Sequence, residues 1–433
     1  MSDRPSSFRA RGKTAAGLAA AALLLTSCGG EAEADDVIEI DFYYPINVGG
    51  PLESVVDGFI EQFHEEHEDI RVTPVYSGDY DQTLSSVQAA TQAGNPPALT
   101  VLLSTDLLTL DDQNLITPIG EIVDDEEWFG SFYDGFMANS VLPDGTVGAI
   151  PFQRSTIVMY WNKELFEEAG LDPENPPATW DEMVEYAEQI QAQSSAQWGV
   201  QIPSTGTGGG WLFEAMAIQN GVVLWDPETG TDVNLDEPGA VTAMENWLQL
   251  QELGLEPEGL VDWGTLPNEF ASGGTGMIWT TTGQLTNIRD NADFDFGVAP
   301  LPAQQQPGSP TGGGNLYVME GISAEEQEAA VELARFLSSP EIQAEWTVAS
   351  GYVAPLEEAW ETEPLASYVE EFPEAMVARE QLPVAEPELG TFRRQEIIDI
   401  VSNAVGSVLN GADPEGTLQQ AQEQADAVLE EYR

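Results

Sequence analysis

The sequence predicts an α/β protein whose parallel strands are covered by helices. Three observations carry this expectation. The 433 residues are enough for about two domains. Hydrophobic residues make up 42% of the chain and aromatics 9%, which supports a buried core rather than a disordered chain. Strand-like alternation and helix-like periodicity also follow one another along the sequence, the order that yields parallel sheets with covering helices.

Residues 1–27 read as a leader and not as part of the fold. Arg9, Arg11 and Lys13 supply a positive start, and Ala15 to Leu25 is an apolar run too short to span a bilayer. Leu25-Thr26-Ser27-Cys28, followed by Gly29-Gly30, matches the bacterial lipobox, in which the cysteine takes the lipid. Cys28 is the single cysteine, so no internal disulfide can form. Residues 28–36 form a small acidic tether. The mature protein is therefore expected outside the cytoplasm, held to the outer face of the cell membrane by lipidated Cys28.

A first strand follows, with Ile38, Ile40 and Phe42 alternating with acids. After the turn Gly49-Gly50-Pro51, Leu52, Val55, Val56, Phe59, Ile60 and Phe63 form one apolar stripe at helical spacing. A second strand is predicted over Ile70 to Tyr76, a helix near Asp81 to Ala93 and a strand over Ala98 to Leu103. Further on come a helix at Trp180 to Gln191 and strands at Gly276 to Trp279, Phe294 to Ala299 and Asn315 to Met319. Ser323 with Glu326 has the capping-box spacing that opens a helix. The last hundred residues read mainly as helix, and Gln304 to Gly314 reads as a loop rich in Gly and Pro. No internal repeat is visible.

Charge narrows the partners. The chain holds 75 acidic against 13 basic residues, a net charge of −62. Four of those basic residues and one acid lie in the first 27 positions, so the remainder is three charges more negative. Such a surface repels nucleic acid and anionic lipid headgroups. It reads as a solvated acidic face suited to salty surroundings, where about 1 M salt shortens the Debye length to ~3 Å. The melting temperature is expected to fall on transfer from molar to millimolar salt. A melting temperature that does not move would reject this reading.

Acidic residues are too abundant for paired carboxylates to indicate catalysis. The only histidines, His64 and His67, are three apart, whereas the zinc-protease helix needs them four apart. With one cysteine and no other histidine, Ser-His-Asp and Cys-His nucleophiles are nearly excluded. Gly312-Gly313-Gly314 precedes a strand instead of following one, so it is not a phosphate loop. No cofactor or metal is called for.

One segment carries a family resemblance. It opens with Pro151-Phe152-Gln153-Arg154-Ser155-Thr156, continues with Met159-Tyr160-Trp161-Asn162-Lys163-Glu164-Leu165-Phe166, and closes with Ala169-Gly170-Leu171-Asp172-Pro173 and Pro176-Pro177-Ala178-Thr179-Trp180. It resembles the central signature of the family 1 extracellular solute-binding proteins of ABC importers, nearest the glycerol-3-phosphate-binding subgroup. Tyr76-Ser77-Gly78-Asp79-Tyr80, Gly94-Asn95-Pro96-Pro97-Ala98, Asn287-Ile288-Arg289, Phe296-Gly297-Val298, Ser350-Gly351-Tyr352 and Leu389-Gly390 extend the similarity over nearly the whole mature chain.

The resemblance implies a type II periplasmic-binding-protein fold, two α/β lobes joined by hinge strands with the ligand between them. Residues 37–148 and 298–320 would form the first lobe, and 149–297 and 321–433 the second, with crossings near Gly148, Val298 and Glu320. Tyr80 and Tyr352 would donate hydroxyls, Ser155 and Thr281 would hold the polar end, Gly313 would offer a backbone amide, and Trp180 an apolar wall. Arg154, beside Ser155, suits an anionic group or a polyol. Two positions depart from the family pattern. Its glycerol-binding carboxylate aligns with Ser104, two residues before Asp106. Its phosphate-binding arginine aligns with Glu396, close to Arg393 and Arg394. A glutamate facing phosphate in a dry cleft would cost several kcal/mol. Either neighbours such as Arg394 substitute, or the ligand is an uncharged sugar, a polyol or a phosphodiester. The implied protein is a monomer that performs no chemistry and works with two permease subunits and an ATPase encoded separately. The rival reading from the residues alone is a secreted carbohydrate hydrolase using two cleft carboxylates.

Overall fold

The computed structural model describes residues 37–433, and the expected leader and tether, with Cys28, lie outside them. Strands β1 (Ile38–Tyr44), β2 (Ile70–Tyr76) and β3 (Leu99–Leu103) run parallel in the order β2-β1-β3. Ile38 faces Ile70 and Phe42 faces Leu99. The helix Leu52–Glu66 joins β1 to β2 and buries Leu52, Val56, Phe59, Ile60 and Phe63, the stripe its spacing foretold. The helix Tyr80–Gln92 follows β2, capped by Asp79, whose carboxylate accepts the Gln82 amide at 2.8 Å. That cap fixes Tyr80 at the carboxyl end of β2.

The middle of the molecule depends on one long strand. Strand β4 (Ile150–Asn162) has 13 residues and every one is buried. Strands β5 (Trp198–Gln201), β6 (Thr275–Thr281), β7 (Phe296–Ala299), β8 (Ser309–Val318) and the short β9 (Ala385–Glu386) complete the sheet, in the order β2-β1-β3-β8-β4-β6-β5 with β7 on β4 and β9 on β8. The first half of β4 pairs with β8, and the second half with β6 and β7. Ile150 and Phe152 accordingly pack in the core that holds β1 and β3. Ile157, Met159 and Trp161 pack in a second core with Trp180, Trp211, Trp247 and Trp279. One strand thus belongs to two apolar bodies, and the change of body falls between Phe152 and Ile157.

The expected assignment of 321–433 as a whole to the second lobe does not match this packing. The helix Ala324–Leu337 opens with the capping box foreseen at Ser323 and Glu326. Its Ala330, Val331 and Leu333, with Trp346, Trp360 and Leu365 beyond it, are buried against β1 and β3. Only from Leu389 does the chain rejoin the second core, continuing through Ile397, Val401, Val405 and Leu418. The reason is geometric, since β8 leads Val318 back into the first body beside β3. The expected loop Gln304 to Gly314 is also corrected in its second half, where β8 begins at Ser309.

His64 and His67 have structural roles: the His64 Nε2 accepts the Val72 amide at 2.9 Å, and His67 stacks on Phe63 at 4.3 Å. Among the described residues, no helix is long and apolar enough to cross a membrane, and no three His, Cys, Asp or Glu side chains are grouped to hold a metal.

Candidate functional site

A cavity of about 240 Å³ opens where the two cores meet β4 and β8. The first body lines it with Val48, Tyr80, Leu103 and Tyr352, from the carboxyl ends of its parallel strands and the segment after the Pro340–Ser350 helix. Ligands of open α/β sheets bind at such strand ends. The second body supplies Trp211, Trp263, Thr281 and the turn Thr205 to Gly208, and the crossing strands supply Ser155 and Gly313. The volume lies just below the roughly 300–1,000 Å³ of drug-sized pockets, which suits a small guest.

Each polar group is aimed by its surroundings. The Tyr80 hydroxyl donates to Gln153 Oε1 at 2.9 Å. Tyr352 stacks on Trp346 at 6.0 Å, which in turn stacks on Phe152 at 5.5 Å. Burial pushes the Tyr80 phenol well up and that of Tyr352 to about 12, so both remain neutral donors at ordinary pH. Thr281 ends β6, where its hydroxyl accepts the Gly283 amide at 3.2 Å. Gly313 sits in β8 opposite Arg154 with φ +95°, and a Cβ there would fall 1.8 Å from the Gln153 carbonyl oxygen.

The structure gathers Tyr80, Ser155, Thr281, Gly313, Tyr352 and Arg394 on this cavity. Three expected residues are not on its wall. Trp180 begins the helix Trp180–Gln193 behind a Thr179–Glu182 capping box, and its ring meets Trp279 edge-on at 5.7 Å inside the second core. Ser104 is buried behind Leu103 beside a separate small void. Arg154 is fully buried beneath the floor, donating to Asn315 Oδ1 at 3.0 Å with its guanidinium over Phe136 at 5.1 Å. Burial pulls it down to about 10, so it stays charged as an internal cation. Arg393 lies outside as well, ion-paired with Glu396 and, at 2.9 Å, with Glu431. Arg394 is therefore the guanidinium that reaches the cavity, 3.9 Å from the Asp106 carboxylate.

Trp211, Trp263 and Glu388 are among the wall residues that sequence reasoning missed. Trp211 belongs to the helix Gly206–Gln219, and its Nε1 donates to the Thr311 carbonyl at 2.9 Å. Trp263 tilts against it at 6.0 Å. The available signal was Gly208-Gly209-Gly210 directly before Trp211, a costly run inside a helix. It is tolerated because a Cβ at Gly208 would strike Trp263 at 2.4 Å and one at Gly209 the Ser204 carbonyl at 2.5 Å. Glu388 is held by Asn139, which accepts its amide at 3.1 Å and donates to its carbonyl at 2.9 Å. Burial pushes the Glu388 carboxyl up to about 7 against the pull of Arg394 and Arg154.

Comparison with known proteins agrees with this architecture. Residues 58–374 match the family model described as bacterial extracellular solute-binding protein. The chain belongs to that family. The solute-binding protein is 29% identical to the sn-glycerol-3-phosphate-binding periplasmic protein UgpB of Pectobacterium atrosepticum over 97% of this chain and 96% of the relative. It is also 29% identical to UgpB of Escherichia coli strain K12, covering 81% of each. Among solved structures, UgpB from Mycobacterium tuberculosis in complex with glycerophosphocholine aligns with TM-score 0.80 and 24% identity, over 91% of this chain and 98% of that one. Maltose-bound MalE3 of T. maritima aligns with TM-score 0.79 and 21% identity, over 90% and 100%. These neighbours are bilobal periplasmic binding proteins, and their fold is this one.

Proposed function

We propose that this solute-binding protein captures a small hydroxylated solute, of the sugar, polyol or glycerophosphodiester kind, and delivers it unchanged to an ABC importer. One observation carries the reading: the cavity wall is completed by two apolar bodies joined through β4 and β8, with Tyr80 and Tyr352 from one and Trp211 and Thr281 from the other. A guest touching both bodies favours the arrangement in which they approach, and that difference in affinity lets a transporter distinguish loaded from empty protein. The aromatic walls suit the apolar face of a polyol, and the tyrosine and threonine hydroxyls suit its oxygens. The protein acts as a monomer without catalysis, is tethered through Cys28, and works with permease and ATPase subunits supplied by other chains.

A thermal-shift screen in molar salt tests this. Glycerol 3-phosphate, glycerophosphocholine, and mono- and disaccharides are the probes. A true ligand at a hundredfold excess over Kd stabilises the fold by about 2.7 kcal/mol, a shift of a few degrees in a chain this long. If no probe shifts the melting temperature, or if products accumulate at catalytic rates, the proposal is wrong.

A further inference from the structure

Two observations at the cavity floor do not fit a simple anion receptor. Arg394 is 3% exposed and lines the cavity, yet its Nε has no partner among the described residues. Glu388 lines the same wall, and its Oε2 is shut off from solvent and likewise without a partner. An arginine in a phosphate site would present its guanidinium to the guest with no carboxylate beside it. Here the protein supplies carboxylates itself, Asp106 at 3.9 Å from Arg394 and Glu388 on the same wall, where Asn139 holds the Glu388 backbone through both its amide and its carbonyl.

The other charges nearby are mostly acidic. Arg154 lies buried beneath and attracts Glu388, while Asp106 beside Arg394 and Glu214 on the Gly206–Gln219 helix repel it. Asp79 and Asp81 add two more carboxylates at the cavity wall. A phosphomonoester brings close to two negative charges at neutral pH. In this pocket it would meet one buried guanidinium that already has Asp106 at 3.9 Å, with Glu388 and further acids around it.

We propose that Glu388 sets charge selectivity, adding an unpartnered carboxylate to the wall that holds Arg394 so that the cavity takes neutral or zwitterionic polyol heads and rejects dianionic phosphomonoesters. This rests on the cavity being the solute site, as proposed above. Rejection of the wrong partner by a fixed like charge needs no steric barrier, because the unpaired carboxylate repels across a poorly screened interior.

The test is isothermal titration at pH 8.5, where the Glu388 carboxyl is ionised, in molar salt with glycerophosphocholine and glycerol 3-phosphate, on wild type, Glu388→Gln and Trp211→Ala. Wild type is expected to bind the diester at least about tenfold more tightly than the monoester. Glu388→Gln should raise the monoester affinity relative to the diester affinity by about tenfold or more. Glu388→Ala serves as a second neutral variant should Gln fail to give a wild-type melting curve. If the neutral variant changes both ligands by the same factor, or neither, the selectivity role is overturned while the site stands, provided Trp211→Ala weakens both. Heat from neither ligand with any of the proteins overturns this proposal, and overturns the site reading as well when no mono- or disaccharide shifts the melting temperature.

Discussion

Gly313→Ala is expected to cost about 3 kcal/mol of stability or more, a large share of the roughly 5–15 kcal/mol that holds a typical domain folded. Two penalties combine. The residue has φ +95°, a conformation that an L side chain adopts only at a cost of about 1–2 kcal/mol. The added Cβ would also fall 1.8 Å from the Gln153 carbonyl oxygen and 3.1 Å from the Arg154 Cα, both backbone atoms of a strand buried along its whole length. Relief would require β4 to move beside the bulge between Pro151 and Gln153, just before it passes from one body to the other. Gly411→Ala is the control, since Gly411 also has φ +95° but nothing lies within 4 Å of its Cβ. It should lose only the backbone share, about 1–2 kcal/mol. Urea unfolding in molar salt measures both, and equal shifts in midpoint at constant slope would show that β4 yields and that the crossing is not rigid.

The same strand shows what could be read from the sequence and what could not. Half-buried elements declared themselves: the alternation Ile38, Ile40, Phe42 is β1, and the stripe from Leu52 to Phe63 is the helix behind it. Strand β4 gave no such signal because both its faces are covered, which removes the period of two. Its Gln153, Arg154, Ser155 and Thr156 broke any apolar run as well. Family resemblance therefore marked the segment that periodicity could not. The candidate site divided along the same line. Tyr80 and Tyr352 sit where the ends of their elements put them. Arg154 looked like a ligand arginine because it stood beside Ser155, but residues adjacent in a strand point to opposite sides. Ser155 faces the cavity, whereas Arg154 faces Asn315 and Phe136 beneath it. Glu388 was not legible at all, since its meaning comes from Asn139, 249 residues away, and from an arginine six positions on.

Arg394→Ala should be the second large loss, about 3–5 kcal/mol, because it removes one partner of a buried ionic group and leaves the other uncompensated. Arg394 is 3% exposed, and Asp106, at 3.9 Å, is 6% exposed. Burial raises the Asp106 and Glu388 carboxyls, and Arg394 pulls both back down. The sign of the pH dependence follows. Glu388, raised to about 7, holds a proton in the folded state that the unfolded chain releases near pH 4, so its contribution to stability falls as pH rises from about 4 towards 7, and the raised Asp106 adds in the same direction. Without Arg394 their folded values rise further, and the fall becomes deeper and continues to higher pH. The variant should therefore lose most stability at pH 8 and least at pH 5, where the two acids can remain protonated beside Glu214 and Arg154. Adding Asp106→Asn to Arg394→Ala should return part of the loss at pH 8, a coupling that independent sites would not show. Urea midpoints at the two pH values decide the matter. An equal loss at both, with no rescue by Asp106→Asn, would mean that Arg394 stabilises the fold by filling space and not by its charge.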